Sequence, residues 1–282
     1  MNLLTDWLSA LEPAQKVLDL GSGAGSFDYS SLRCCVIGVD SDLSQIGRFA
    51  TSASVCASGC RLPFAARSFD LVICHNSLEH FADVQSAIDE IARVLKENGR
   101  LFISVPDGYS LSDRLYRFLY AGGGHFQRFT FERIVHLIET GISLHLVAWK
   151  WLYSSFIYID RANFQPAPRG PLPGPFPRRM RLLGHLPVWF FSAARLLLNV
   201  ATRLLDRLGF LKLSIYGWAL AFDCGVTGRP THELSLVNVC TRCGFAANRY
   251  ELRPVGKVVY RCNRCQAYNP LFRPISDPPF PF

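Results

Sequence analysis

Three alternate glycines follow an acidic residue near the N-terminus, a pattern suited to holding a small ligand against bare main chain. Asp19 lies near the end of a short apolar run, and Gly21, Gly23 and Gly25 follow it. Glycine permits a tight turn and a close ligand approach, because no Cβ stands in the way. We expect a buried strand, a glycine turn and a helix that begins at about Ser26, with its free N–H groups facing the ligand.

The glycine spacing argues against a ligand that carries a pyrophosphate. The dinucleotide fingerprint is Gly-x-Gly-x-x-Gly, whereas this chain has Gly-x-Gly-x-Gly with Asp19 ahead of it. A second acid, Asp40, ends the next apolar run and is placed to accept hydrogen bonds from both hydroxyls of a ribose. A ligand with a ribose, a cationic centre and no phosphate is S-adenosyl-L-methionine.

Further motifs follow in a characteristic order. They are the segments Arg61–Phe64, Ser68–Ile73, Asn76–Phe81 and Gly99–Pro106. With the glycine turn, they make residues 14–150 resemble the class I S-adenosylmethionine-dependent methyltransferases, in the type 11 branch that includes quinone-biosynthesis enzymes. The resemblance implies an α/β fold with a Rossmann-like seven-stranded sheet and methyl transfer as the activity.

The resemblance also implies roles for individual residues. Asp19 would help hold the methionine end of the cofactor, and Asp40 would bind the ribose. Ser58 stands where relatives carry an acid that contacts the adenine amine, which leaves that contact to a hydroxyl, a backbone group or Cys60. The predicted cofactor-binding residues are Asp19, Gly21, Ser22, Gly23, Gly25, Asp40, Ser58, Gly59 and Asn76.

Two histidines are candidates for a catalytic base, which is needed only if the methyl acceptor must lose a proton. His80 follows the fourth predicted strand, in a helix expected over Glu79–Lys96, and it could equally be a packing or capping residue at the start of that helix. His125 follows three glycines beside the expected substrate mouth, and it could equally be an exposed loop residue. We favour His125 over His80.

The elements that must position these residues divide the chain into four segments. Residues 1–160 are expected to form the cofactor-binding core, residues 161–212 a Pro-rich linker with a helical insertion, and residues 213–225 the last core strand. Residues 234–272 form a separate module. Six prolines between Pro166 and Pro177 predict a stiff, extended linker.

An apolar stretch follows this linker, over residues 188–210, with polar residues at helical spacing. Three arginines and an aspartate disfavour a membrane span in a stretch this short. Two interpretations stay open: a helix packed on the catalytic domain, or a helix lying in a bilayer surface. In the second, residues 178–210 make a peripheral membrane contact, with Arg178, Arg179 and Arg181 facing acidic lipid head groups.

Two Cys-x-x-Cys pairs near the C-terminus have the spacing of a metal site. Eighteen residues separate them, and the four thiolates are Cys240, Cys243, Cys262 and Cys265. This pattern predicts a structural Zn²⁺ in a small module that resembles a zinc ribbon, rather than chance cysteines or disulfides. Residues Val258–Tyr260, before the second pair, are expected to form a hairpin strand. A closed four-thiolate shell leaves no position for catalysis.

Composition places the protein in a reducing compartment and concentrates its charge. The 282 residues are 49% hydrophobic and carry a formal charge of +8. Residues 166–212 hold eight basic residues against one acid, so this segment carries nearly all of the excess. The first thirteen residues contain Asp6 and Glu12 and lack a basic start, so we expect no secretory leader and a cytoplasmic location.

Three functions compete. The first is methylation of an apolar small molecule or a lipid-linked acceptor, with the basic helical insertion bringing the enzyme to a membrane. The second is an RNA methyltransferase in which the ribbon and the insertion grip phosphates, but the insertion is too apolar for a solvated phosphate track. The third is a non-catalytic cofactor-binding module, which the intact Asp19, glycine turn and Asp40 disfavour.

Overall fold

The structure is a computed structural model that describes most of the chain. It describes residues 4, 7–8, 10–23, 26–27, 29, 32–42, 53–120, 124–154, 156, 158–164, 183–208, 213–224, 231–232, 238–239, 246–247, 253–254, 259–261, 266 and 268–270. The chain forms two units. The first comprises Met1–Pro106, Phe126–Lys150 and Trp218–Glu233, and the second comprises Asp107–His125, Trp151–Gly217 and Leu234–Phe282.

An eight-stranded sheet organises the fold, with strand order β3-β2-β1-β4-β5-β7-β6-β8. Strands β1 to β4 pair in parallel with one another, and β5 pairs in parallel with β4. The strands are β1 (Lys16–Leu20), β2 (Cys35–Asp40), β3 (Ala53–Cys56), β4 (Phe69–His75), β5 (Leu95–Pro106), β6 (His145–Tyr153), β7 (Ile215–Asp223) and β8 (Thr231–His232).

Strand β7 is the last long strand of the sheet, and it runs antiparallel to β5. Arg100 in β5 donates to Asp223 at the end of β7, and Asp107 after β5 donates to Tyr216 near the start of β7. Contacts at opposite ends show that the two strands run antiparallel. Residues 213–225, where the last core strand is expected, contain β7, and the two-residue β8 adds to the seven strands expected.

Within the described ranges, four α-helices and two 3₁₀ helices join these strands. The α-helices are α1 (Val84–Val94), α2 (Leu111–Leu119), α3 (Phe131–Ile142) and α4 (Val188–Arg207), and the 3₁₀ helices are Leu78–His80 and Arg161–Phe164. Side chains cap the first three: Asp83 accepts from Ser86, Ser110 from Asp113, and Thr130 from Arg133. Each cap satisfies one of the N–H groups that a helix start leaves without an intrahelical partner.

Two predicted helix starts are wrong. The helix expected to begin at Glu79 begins at Val84, because Asp83 caps it there and a 3₁₀ helix precedes it. The helix expected from about Ser26 is not formed by residues 26, 27, 29 and 32, which are the residues described in that stretch. Hydrogen bonds to Asp19 from Ser26 and Tyr29 hold this segment instead.

The middle strands of the sheet form the core of the first unit. Val17, Leu18 and Leu20 in β1 are buried, as are residues 71–74 of β4. Parallel strands covered on both faces read as continuous apolar runs, which explains why the sequence identified them. Asp19 breaks the apolar run of β1, because it is an acidic residue that is fully buried.

Short strands occur in the C-terminal module. Strand β9 (Asn238–Val239) pairs with β10 (Ala246–Ala247), and β12 (Val259–Arg261) pairs antiparallel with both β11 (Arg253–Pro254) and β13 (Tyr268–Pro270). The hairpin strand expected next to the second cysteine pair is β12. Cys240, Cys243, Cys262 and Cys265 lie outside the described residues, so the zinc ribbon stays a prediction.

Candidate active site

The glycine turn closes directly onto the neighbouring strand. Gly21 and Ser22 both donate their backbone N–H to the carbonyl of Val39, at 2.8 and 2.9 Å. Gly21 has φ +71° and Gly23 has φ +48°, the left-handed region that L side chains rarely adopt. The predicted turn residues therefore lie where β1 and β2 end together.

The two glycines differ in what surrounds them. A Cβ on Gly21 would lie 2.4 Å from the Cβ of Ser77, so the turn packs against the residue that follows β4 by two positions. A Cβ on Gly23 would meet nothing within 4 Å. Gly21 is thus required for packing inside the protein, whereas Gly23 leaves open space over the main chain where a ligand can approach.

Asp40 joins the end of β2 to the glycine turn. Its Oδ2 accepts from the N–H of Gly23 at 2.8 Å, and its Oδ1 accepts from the N–H of Asp42 at 2.9 Å. The side chain remains partly exposed. A partly exposed carboxylate that is fixed by backbone donors can still accept hydrogen bonds from vicinal hydroxyls.

Asp19 acts within the protein in this structure. Its carboxylate accepts from the backbone N–H and the hydroxyl of Ser26, at 3.0 and 2.6 Å, and from the hydroxyl of Tyr29 at 2.9 Å. Burial raises the pKa of Asp19, although the hydrogen bonds from Ser26 and Tyr29 oppose this shift. Asp19 therefore holds the segment after the turn, and its contact with a methionine end stays a prediction.

Ser58 and Gly59 follow β3 and lie beside the end of β2. The N–H of Ala57 donates to the carbonyl of Asp40 at 3.0 Å, which brings this loop to the acid. Ser58 is exposed, and its hydroxyl accepts from the N–H of Cys60. Gly59 is buried, and a Cβ there would lie 2.7 Å from the ring of Phe81. The loop thus presents a hydroxyl next to Asp40.

Asn76 lies at the carboxyl end of β4 with φ +51°, which is uncommon for a residue other than glycine. Its N–H donates to the carbonyl of Ser104 at 2.9 Å, and its Oδ1 accepts from the Ser104 hydroxyl at 3.2 Å. The same hydroxyl lies 2.7 Å from Nδ1 of His75. The ends of β4 and β5 are therefore joined by a polar network of His75, Asn76 and Ser104.

Sequence reasoning missed His75 and Ser104. Burial lowers the pKa of His75 to about 4, with a smaller effect from Lys150, so the ring is neutral near pH 7. The ring of Phe27, which follows the glycine turn, lies 4.9 Å from the His75 ring. A histidine at the last position of a buried strand next to Asn76 was the signal that could have identified this network.

The two predicted base candidates differ in how far their side chains are exposed. His80 ends the 3₁₀ helix Leu78–His80 and is exposed. Glu79 beside it is fully buried. In the first unit, the carbonyl of Glu79 accepts from the N–H of Gln127 at 3.1 Å, which fixes the backbone at this position.

His125 belongs to the second unit and pairs with a buried carboxylate. Its Nδ1 lies 2.7 Å from Oδ1 of Asp113, and its ring stacks on Tyr116 with centroids 4.5 Å apart. Arg117 donates to Oδ2 of Asp113 at 2.6 Å and to the carbonyl of His125 at 2.5 Å. His125 is thus held by side chains of α2, which an exposed loop histidine would not be.

The charge of Asp113 follows from its contacts. Burial alone would raise the pKa of Asp113, but the hydrogen bonds from His125 and Arg117 outweigh burial and hold that pKa below its ordinary value. The Asp113 carboxylate accepts a hydrogen bond from Nδ1–H of His125. That tautomer of the imidazole has its basic lone pair on Nε2, the arrangement that a general base requires.

The structure brings most of the predicted cofactor residues to one edge of the sheet. The N–H groups of Gly21 and Ser22 donate to Val39, and that of Gly23 donates to Asp40. The neighbouring strands β3 and β4 are followed by Ser58, Gly59 and Asn76. Gly25 lies outside the described residues. Ligands of open parallel sheets bind outside the carboxyl ends of the strands, which is where these residues lie.

Comparison with known proteins agrees with this geometry. Residues 18–103 match the model of the methyltransferase domain family. The chain is 38% identical over 96 residues to the uncharacterized protein MJ0638 of Methanocaldococcus jannaschii, covering 34% of this chain and 42% of that protein. It is 35% identical over 96 residues to the demethylmenaquinone methyltransferase of Corynebacterium kroppenstedtii, covering 33% of this chain and 42% of the enzyme.

Structural comparison shows the fold. The crystal structure of the YcgJ protein of Bacillus subtilis matches with a TM-score of 0.50 and 18% identity, over 78% of this chain and 94% of that one. The fold is therefore the Rossmann-like methyltransferase fold. The chain spans about 42% of the length of the curated relatives described above.

Proposed function

We propose that this protein is an S-adenosylmethionine-dependent methyltransferase that acts on an apolar, quinone-like acceptor. The hydrogen bond between Asp40 and Gly23 carries the proposal, because it fixes a carboxylate beside open main chain at the carboxyl ends of β1 and β2. The match of residues 18–103 to the methyltransferase domain family supports the same conclusion.

The residues at this edge fit the proposed cofactor. Asp40 would accept hydrogen bonds from the ribose hydroxyls, and the open space at Gly23 would let the ligand approach the main chain closely. Ser58 offers a hydroxyl toward the adenine side. When bound, S-adenosylmethionine supplies a methyl group on a sulfonium that is already a good leaving group, so the protein mainly has to position the acceptor.

His125 is the proposed base for an acceptor that must lose a proton. Asp113 holds Nδ1, and Nε2 takes the proton. Positioned general bases typically contribute about 10²- to 10⁴-fold to a rate. Support for His125 over His80 comes from its buried carboxylate partner, because His80 is exposed at the end of a 3₁₀ helix.

The acceptor class rests on similarity. The Corynebacterium relative is a demethylmenaquinone methyltransferase. We extend a quinone-like acceptor class to this chain because residues 188–210, within its insertion, are rich in apolar residues. The transferred methyl would go to an apolar or lipid-linked molecule rather than to a nucleic acid.

We also infer a structural Zn²⁺ bound by Cys240, Cys243, Cys262 and Cys265. The spacing of the two Cys-x-x-Cys pairs supports this inference. Four thiolates on one Zn²⁺ carry a net charge of −2, which Arg242, Arg261 and Arg264 can offset. The metal would stabilise a module too small to have its own core.

The test of the proposed activity is methylation of a defined acceptor. Purified protein and S-adenosylmethionine are incubated with a demethylmenaquinone, and the product is analysed by mass spectrometry. We expect the quinone to gain the mass of one methylene with wild-type protein and to stay unchanged with the Asp40→Asn variant. Methylation of RNA while the quinone stays unchanged would overturn the acceptor class.

The matched control is the Asp89→Asn variant. Asp89 is exposed on α1 and accepts only from Gln85 among the hydrogen bonds described for it. This variant makes the same change of an acid to an amide in the same unit, away from the sheet edge. We expect it to keep wild-type activity.

A further inference from the structure

Helix α4 has an inverted distribution of apolar and polar side chains. Its exposed side carries large apolar residues along the whole helix, including Trp189 at 69% exposure, Leu197 at 68% and Leu208 just after its end at 72%. Leu196 and Leu204 on this side are also exposed by half or more. A helix on the surface of a soluble protein normally turns such residues inward.

The polar residues of α4 face the protein instead. Arg195, Asn199, Thr202 and Arg203 are all at least nine-tenths buried. Within the second unit, Arg195 pairs with Asp160 at 3.3 Å, and the guanidinium of Arg203 lies 4.0 Å from the centre of the Tyr153 ring. The polar stripe predicted from sequence is therefore the side by which α4 attaches to its own unit.

Aromatic packing anchors the start of the helix. Phe191 is buried and packs on Phe164, with ring centroids 5.1 Å apart, in a cluster with Tyr120, Phe156 and Ile159. Trp189 and Phe190, directly before it, are exposed. The helix is thus held firmly on one side while its apolar side is left in solvent, and such extended apolar patches mark interaction sites.

The anchored polar side argues against a span. By length and hydropathy, Val188–Asp206 is a helix that could cross a membrane. A spanning helix would carry Arg195, Arg203 and Asp206 through hydrocarbon, which is costly for each charged residue. A helix lying flat in the interface keeps those residues on the protein and places only the apolar side in lipid.

The charge next to the helix favours an anionic bilayer over a second copy of the chain. Residues 165–187 contain four arginines and no acidic residue, and three of these arginines lie within ten residues of the helix start. In a symmetric dimer through α4, the same basic segment of each copy would approach the other. Acidic lipid head groups attract such a segment, and tryptophan is enriched at that depth of a bilayer.

We propose that the exposed side of α4, lined by Trp189, Leu196, Leu197, Leu204 and Leu208, docks flat on a bilayer that contains anionic lipid. The polar side, which binds Asp160 and Tyr153, keeps the helix fixed to the second unit. This surface is defined without reference to the methyl-transfer reaction. Its test can therefore fail or succeed independently of the proposed function.

The test is co-sedimentation of the full chain with vesicles of phosphatidylcholine alone or mixed with phosphatidylglycerol. We expect wild-type protein to bind the anionic vesicles and the Leu197→Glu, Leu204→Glu double variant to bind at least about tenfold more weakly. Both leucines are exposed, so the variant should retain the wild-type melting temperature. Changing Arg178, Arg179 and Arg181 to Glu should remove the preference for anionic vesicles.

The matched control is Ser192→Glu. Ser192 is exposed on α4 at the edge of the apolar side, one turn before Leu196 and about 140° around the helix from Leu197. A charge at this edge should weaken binding several-fold less than charges at Leu197 and Leu204, which lie near the centre of the apolar side. Equal losses in Ser192→Glu and in the leucine variant would overturn the proposal.

A measurement on the wild-type protein avoids dependence on variants. Brominated lipids quench the fluorescence of a tryptophan that touches the acyl chains, and we expect quenching that disappears in Trp189→Phe. Absence of binding to anionic vesicles would overturn the proposal. So would a dimer in analytical ultracentrifugation that Leu197→Glu dissociates while vesicles leave the wild type unbound.

Discussion

The Oδ2 atom of Asp40 accepts a 2.8 Å hydrogen bond from the backbone N–H of Gly23. This contact joins the acid at the end of β2 to the turn that follows β1, across 17 residues of sequence. It fixes the carboxylate beside a glycine whose outer side is open. The candidate cofactor site is built on this relationship.

Gly21 and Gly23 should respond differently to alanine. Gly21→Ala introduces a Cβ that would lie 2.4 Å from Ser77 at φ +71°, so we expect a loss of about 2–4 kcal/mol in unfolding free energy. Gly23→Ala meets no neighbour and should cost only about 1–2 kcal/mol from its backbone conformation. Urea denaturation measures both values.

Cofactor affinity should be lowered by Gly23→Ala, the variant that is expected to lose less stability. Gly23→Ala fills the space that the ligand approaches, so its affinity for S-adenosylmethionine should fall although the variant stays folded. The Gly21→Ala defect should be partly repaired by adding Ser77→Gly, which removes the clashing Cβ. Equal stability of the two single variants would contradict this account of the turn.

The two base candidates should separate in kinetics. His125→Asn removes the ring that Asp113 orients, so we expect kcat to fall by about 10²-fold or more with little change in cofactor affinity. His80→Asn, at an exposed position, should leave kcat within about threefold of wild type. Steady-state assays with a quinone acceptor give both numbers, and a larger loss in His80→Asn would assign the role to His80 instead.

The stability of the second unit should depend on pH through Asp206. Burial raises the pKa of Asp206 to about 7, against the lowering effects of Arg203 and of a backbone hydrogen bond with Ser214. The folded state thus holds this proton more tightly than the unfolded chain does. The stabilisation is complete below the ordinary aspartate pKa and is lost as the pH rises through about 7.

Asp206→Asn should remove that dependence, because an amide does not ionise. We expect the melting temperature of this variant, relative to wild type, to increase between pH 5 and pH 8. Thermal melts at several pH values measure the difference. A constant difference across this range would show that Asp206 keeps an ordinary pKa in the folded protein.

The C-terminal cysteines should bind one zinc ion per chain. Metal analysis of protein purified without added metal tests this, and Cys262→Ser should lower the zinc content and expose residues 234–272 to proteolysis. The control is Cys224→Ser, since Cys224 is an exposed free cysteine. Full zinc content in Cys262→Ser would contradict the four-thiolate site.

The sequence predicted the parts of the site that lie within one strand and its turn. Asp19, the alternate glycines and Asp40 form local patterns, and an apolar run ending in an acid identifies a buried parallel strand and its carboxyl end. The position of β7 was also predictable, because the apolar pattern made residues 213–225 the best candidate for the last core strand. These features need no knowledge of contacts between distant residues.

Other parts depended on contacts that no local pattern encodes. The network of His75, Asn76 and Ser104 joins residues 28 and 29 positions apart through a strand pairing. The pairing of His125 with Asp113 depends on how a loop returns to α2. The predicted start of α1 at Glu79 was wrong, because Asp83 caps the helix and Glu79 lies in the 3₁₀ helix before it.

The orientation of α4 shows a further limit of pattern reading. Spacing identified a helix with a polar stripe and an apolar face, and both packed and interfacial placements agree with that pattern. The buried contacts of Arg195 and Arg203 show which side is attached to the protein. Amphipathicity defines two faces but does not say which one is covered.

Isothermal titration of S-adenosylmethionine into the protein tests the central claim most directly. We predict a saturable heat with one site for wild type and Asp89→Asn, and an affinity about 10- to 100-fold lower for Asp40→Asn, which loses charged hydrogen bonds to the ribose. No heat with wild-type protein, or an unchanged affinity in Asp40→Asn, would contradict the account.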